Sequence, residues 1–120
     1  MTKNIFLVED NDDLRELIEF MLNSESYSIY SCSTAKYFFE KLKDQKPDLI
    51  ILDIMLPDGN GEEICKQLKS EKETQDIPVL LMSANLNYKN MPPLAEAFIA
   101  KPFDMKEFLN TIDDLMVRTN

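Results

Sequence analysis

The chain has 120 residues, no histidine, two cysteines and a formal net charge of −9. Its length predicts one domain, over residues 1–120. The missing imidazoles remove the usual zinc ligand sets and histidine-dependent nucleophilic catalysis, and the negative charge argues against direct contact with nucleic acid or an anionic membrane. No stretch approaches the ~20 apolar residues needed to span a bilayer. The N-terminus enters a strand at once, leaving no room for a signal peptide, so a cytoplasmic protein with free, reduced Cys32 and Cys65 is expected.

Apolar and polar runs then alternate along the chain. Residues 5–8 read as a first strand. Leu14, Leu17, Ile18, Met21 and Leu22 recur at helical spacing, with Arg15, Glu16 and Glu19 on the other face and Asn11, Asp12 and Asp13 suited to the helix start. Residues 27–31 form a less hydrophobic, edge-type strand. Ala35, Phe38, Phe39 and Leu42 mark a second helix, capped by Ser33 or Thr34. Residues 49–53 are continuously apolar up to Asp53, the pattern of a strand buried on both faces. A turn over 57–61 leads to a third helix over about 61–70, with Ile64, Cys65 and Leu68 inward. Strands over 77–82 and 97–100 follow, and Met105, Phe108, Leu109, Ile112, Leu115 and Met116 mark a last helix that Asp104 helps to begin.

This alternation specifies a parallel sheet with helices on both faces. Residues 84–96 are the irregular part. Pro92 and Pro93 break a helix interior and disfavour α at Met91, so a loop is expected there, with at most a turn or two of helix after Pro93.

Chemistry-bearing side chains gather where strands end. Glu9 and Asp10 close the first strand, Asp53 the third, Ser83 follows the fourth and Lys101 the fifth. Open α/β sheets place their ligands at the C-terminal ends of strands. With no imidazole available, a metal held there is held by oxygen, so Mg²⁺, Mn²⁺ or Ca²⁺ are the candidates. Singly, each residue has an ordinary alternative: acids suit a helix entry, Asp53 could cap the turn before Gly59, Ser83 could be structural, Lys101 a surface lysine, and Asp58-Gly59 turn chemistry. It is the joint occurrence that points to a cation and phosphoryl site.

Four segments carry a resemblance: Val8-Glu9-Asp10-Asn11, Leu52-Asp53-Ile54-Met55-Leu56-Pro57-Asp58-Gly59, Ser83-Ala84 and Lys101-Pro102-Phe103. In this order the chain resembles, over essentially its whole length, the receiver domain of two-component response regulators. The resemblance implies a doubly wound, flavodoxin-like α/β fold with five parallel strands in the order 2-1-3-4-5. It implies that Asp53 is the phosphoacceptor, and that Glu9, Asp10, Asp53 and the backbone carbonyl of Met55 hold Mg²⁺. Ser83 and Lys101 would contact phosphoryl oxygens, Lys101 pairing with Asp53 beforehand, and the Lys101–Pro102 bond would be cis. Ser83 and Phe98 would form the switch. The donor would be a sensor histidine kinase or a histidine phosphotransfer protein, and the output a protein contact, since no effector domain follows. Such a module is a signalling domain rather than an enzyme, although it promotes its own phosphorylation. Slow autodephosphorylation is expected because Met55 cannot orient a water, whereas Asn85 can.

The chain also departs from the family pattern. Glu9 stands where many receivers have Asp. The Ser83 to Lys101 interval is 18 positions, several short, so the fourth helix is expected to be short or missing. Phe98 lacks the hydroxyl of the tyrosine frequent at its position, which predicts a muted or rerouted output. Two rivals share parts of the pattern. A dehalogenase-type aspartyl-phosphate phosphatase would want a second Asp where Met55 stands, and a pseudo-receiver would keep the fold without being phosphorylated.

Overall fold

A computed structural model of the chain describes residues 2–84 and 94–118. The expectations for the fourth helix and for Asn85 fall on residues 85–93 and lie outside the described residues. Strands β1 (Asn4–Val8), β2 (Ser28–Cys32), β3 (Leu49–Asp53), β4 (Val79–Ser83) and β5 (Ala97–Ala100) form one five-stranded sheet. Every pairing in it is parallel and the order is β2-β1-β3-β4-β5, as expected. Helices α1 (Asp12–Ser24), α2 (Ala35–Asp44), α3 (Gly61–Ser70) and α4 (Met105–Arg118) lie against its two faces.

Alternation along the strands divides the core in two. Phe6, Val8, Ile50 and Leu52 face α2 and α3, where they meet Phe38, Leu42, Ile64 and Leu68. Ile5, Leu7, Ile51 and Leu80 face α1 and α4, where they meet Ile18, Leu22, Phe108 and Ile112. The central strands β3 and β4 are buried along their whole length, which is why their sequences show no polar alternation. β2 alternates between exposed and partly covered positions, as an edge strand does.

Local chemistry sets the helix starts. Asn11 accepts the Leu14 amide, Thr34 accepts the Tyr37 amide, and Asn60 accepts the amides of Glu62 and Glu63. The Asp104 carboxylate accepts the Lys106 amide and so begins α4, as expected. Of the two candidate caps for α2, Thr34 does the work.

β1 starts one residue earlier than expected and β2 and β4 each end one residue later, and two strands start later than expected, each for a backbone reason. The Tyr27 amide is spent on the Leu22 carbonyl, closing α1, so β2 begins at Ser28. Pro78 has no N–H to give a ladder, so β4 begins at Val79 rather than at 77. Between β3 and α3 the chain forms a short antiparallel ribbon, Met55–Leu56 with Gly59–Asn60, around the expected turn.

Candidate functional site

The parallel register brings the strand ends to one edge of the sheet. Val8 pairs with Leu52, Asp53 with Met82, and Ser83 with Ala100. The residues just beyond β1 and β5, and the last residues of β3 and β4, therefore share a rim. Lys101 reaches across it. Its Nζ lies 2.6 Å from Glu9 Oε1 and 2.7 Å from Asp53 Oδ2. The other oxygens of these acids are also engaged: Glu9 Oε2 accepts the Asn11 amide at 3.0 Å, and Asp53 Oδ1 accepts the Met55 amide at 3.0 Å. Asp10 completes a group of three carboxylates that each offer one oxygen within 4.8 Å of the other two.

Burial makes this grouping costly and therefore informative. Glu9 is 0% exposed and Asp53 5%, whereas Asp10 faces solvent. Burial pushes the Glu9 carboxyl above the usual glutamate range, against the opposing pull of the Lys101 and Asn11 hydrogen bonds. Burial acts on Lys101 in the opposite sense, but its bonds to Asp53 and Glu9 outweigh that and hold the ammonium above the usual lysine range. The lysine is thus charged between two acids. Three carboxylates against one ammonium leave a formal charge of −2, which a single divalent cation would cancel. A hard, oxygen-only donor set of this kind fits Mg²⁺, which keeps part of its water shell and takes only a few protein ligands.

Gly61 permits this crowding. Its amide donates to the Ile54 carbonyl at 2.7 Å. A Cβ built on it would lie 2.4 Å from the Asp53 carbonyl oxygen and 2.8 Å from the Ile54 Cα. Only a residue without a side chain lets α3 start so close to the end of β3.

The family described as the response regulator receiver domain matches residues 5–113. The chain belongs to this family. Among curated relatives, it is 34% identical to the phosphate regulon transcriptional regulatory protein PhoB of Escherichia coli K12, over 98% of this chain and 53% of that protein. It is 37% identical to the response regulator ArlR of Staphylococcus saprophyticus, over 98% of this chain and 54% of that one. The chain thus spans about half the length of these relatives. Among solved structures, the response regulator TrrA of Thermotoga maritima, in complex with Mg²⁺ and BeF, superposes with a TM-score of 0.85 at 27% identity, over 95% of this chain and 99% of that one. This membership separates the chain from the dehalogenase-type phosphatases.

Within the receiver fold, every strand-end residue singled out from sequence lies at or beside the rim. Ser83 is buried at the end of β4, and its carbonyl accepts the Lys101 amide at 2.8 Å. The Lys101–Pro102 bond is cis. The Met55 side chain is 67% exposed while its backbone is tied to Asp53. Phe98, opposite Leu81 on β5, is half-buried against the core layer that α2 and α3 share. Cys32 and Cys65 are free and buried, as expected, and burial pushes the Cys32 thiol up to about 12.

Two residues near the rim do more than their sequence context suggested. Arg15, placed from sequence on the outer face of α1, turns back to the β1–α1 turn, where Nη1 donates to the Glu9 carbonyl at 2.9 Å. Asp58, read as turn chemistry, accepts the amides of Ala35 at 2.8 Å and Lys36 at 3.0 Å, so the loop after Asp53 caps α2. Arg15 did carry a signal: a cation in the first turn of a helix opposes the helix dipole. Asp58 carried none, because its partners lie more than twenty positions away. Beside Lys101 an apolar cavity of about 360 Å³ opens between Leu14 and Leu17 of α1 and the segment Pro102, Phe103 and Met105.

Proposed function

We propose that this receiver takes a phosphoryl group from a phosphohistidine onto Asp53, with Mg²⁺ held by Glu9, Asp10, Asp53 and the Met55 carbonyl. The observation that carries the reading is the Lys101 ammonium seated between Glu9 and Asp53, inside a cluster of three carboxylates at the strand ends. In the transfer the P–N bond to the donor imidazole breaks, its electron pair staying on nitrogen, as a P–O bond to Asp53 forms. Bound Mg²⁺ would screen the charge of acceptor and phosphoryl group.

The chain's own residues do the rest. The Met55 amide fixes one Asp53 oxygen and Lys101 the other, so the nucleophile is oriented before the donor arrives. Once Asp53 carries the phosphoryl group as an acyl phosphate, Lys101 and the Ser83 hydroxyl serve the phosphoryl oxygens. The new charge at the rim then biases β4 and β5, through Ser83 and Phe98, toward a second arrangement and a protein contact. The donor is a sensor histidine kinase or a phosphotransfer protein in the cytoplasm. The apolar cavity lined by Leu14, Leu17, Pro102 and Phe103 beside Lys101 offers that donor a contact surface.

The test is the intact mass after acetyl phosphate and Mg²⁺. Wild type should gain one phosphoryl group, and Asp53→Asn none. The adduct should decay slowly, because the exposed Met55 side chain offers no group to orient water. A half-life of seconds would contradict that part, and no adduct in wild type would leave a pseudo-receiver. Amide shifts of β4 and β5 recorded with a beryllofluoride mimic should move less than in a receiver with tyrosine at the Phe98 position.

A further inference from the structure

We propose that Arg15 is a positioning residue of the cation site, fixing the turn from which Glu9 and Asp10 present their carboxylates. Its side chain is only 19% exposed, and its guanidinium bonds two groups at once, the Glu9 carbonyl at 2.9 Å through Nη1 and Asp12 Oδ1 at 2.6 Å through Nη2. The two nitrogens belong to one rigid planar fork, so both contacts are set together.

The Glu9 carbonyl matters because of what it is joined to. It belongs to the same planar peptide unit as the Asp10 nitrogen, so holding that oxygen fixes the direction in which the Asp10 Cα leaves the strand. The Glu9 amide is already held by the Cys32 carbonyl at 3.0 Å. Its carboxylate is held by Lys101 and by the Asn11 amide. Arg15 supplies the remaining fixed point, at the place where the sheet ladder ends and gives the turn no further support. An arginine this early in a helix is locally unfavourable. Its contacts to the turn supply the reason it is there.

This inference rests on the acids being a cation site. The test separates the two ideas by sign. Removing a positive charge beside an acidic cluster should, by Coulomb attraction alone, tighten Mg²⁺ binding. Loosening the ligands should weaken it, and losing a group that orients metal ligands typically costs roughly 10–100-fold in affinity. Mg²⁺ is titrated into wild type, Arg15→Met and Arg15→Lys, followed by the amide shifts of residues 9–11. Hydrogen exchange of the Asn11 amide is measured without metal, and thermal melts confirm that each variant is folded.

The dissociation constant should rise about tenfold in Arg15→Met. It should rise in Arg15→Lys as well, because lysine keeps the charge without the fork. Asn11 should exchange faster in both. Binding as tight as wild type, or tighter, in either variant overturns the role of Arg15. Absence of Mg²⁺ binding in wild type overturns the cation-site reading itself.

Discussion

The close approach at Gly61 is the sharpest constraint that a single residue imposes on this site. A methyl group there meets backbone, not a flexible side chain: the Asp53 carbonyl oxygen at 2.4 Å and the Ile54 Cα at 2.8 Å. Relief requires moving either the end of β3 or the start of α3, and β3 is buried along its whole length. Overpacking of this kind costs about 1–3 kcal/mol. Gly61→Ala should therefore lower the urea midpoint by that equivalent and should also slow phosphorylation, since Asp53 is the residue displaced. An unchanged midpoint would mean that the loop shifts freely and that the glycine is not required. Gly59 is a useful control, because a Cβ there meets Ile64 Cδ1 at 3.6 Å, an ordinary contact, and Gly59→Ala should be far milder.

Between elements, the carboxylate of Asp58 joins the loop after the phosphoacceptor strand to the start of α2. Together with Thr34 it satisfies the Ala35, Lys36 and Tyr37 amides, donors that a helix leaves orphaned at its first turn. The Ala35 amide first, and the Lys36 amide with it, hold the Asp58 carboxyl below its ordinary value of 3.8. A folded-state value lower than the unfolded one adds stability above the ordinary value, and that contribution is lost as pH falls through the folded value. Asp58→Ala should thus have a lower urea midpoint than wild type at pH 7, by less than Gly61→Ala. The gap should close progressively in acid, below about the ordinary aspartate value. A gap that stays constant down to pH 2 would assign the loss to packing instead. Asp58 also marks the limit of what the sequence discloses. The strands were legible because β1, β3 and β4 are mostly apolar runs punctuated by turns, their order was implied by the family resemblance, and the rim was legible because its residues are each fixed by position at a strand end. Asp58 was not, since its partners are brought near only by folding, and Arg15 was only partly so: its place against the helix dipole was visible, but not that it would turn back to the Glu9 carbonyl. The starts of β2 and β4 were missed by a residue or two because Tyr27 and Pro78 withhold the amides that a ladder needs.

Across the molecule, charge is unevenly spread. α1 sets Asp12, Asp13, Glu16 and Glu19 against Arg15, and α4 sets Glu107, Asp113 and Asp114 against Lys106 and Arg118, whereas in α2 Lys36, Lys41 and Lys43 outnumber Glu40 and Asp44, and in α3 Lys66 and Lys69 balance Glu62 and Glu63. The rim acids thus sit beside the more acidic layer, in a chain whose formal net charge is −9. Such a field raises the local concentration of divalent cations and weakens as salt screens it. It also means that, without a cation, the three clustered carboxylates repel one another and oppose folding. Asp10 is the member that faces solvent and can be altered with least disturbance to the core. Asp10→Asn should accordingly melt higher than wild type in the absence of Mg²⁺. Wild type, at Mg²⁺ ten times its dissociation constant, should gain about 1.4 kcal/mol through mass action, and the variant at the same Mg²⁺ concentration much less, so that the order of the two melting temperatures narrows or reverses. Raising the KCl concentration should shrink the wild-type gain. If Mg²⁺ moved both proteins equally, or if Asp10→Asn melted lower in its absence, the three acids would not be acting as one cation site, and the repulsion inferred from their 4.8 Å spacing would have to be relieved by neighbours elsewhere in the fold.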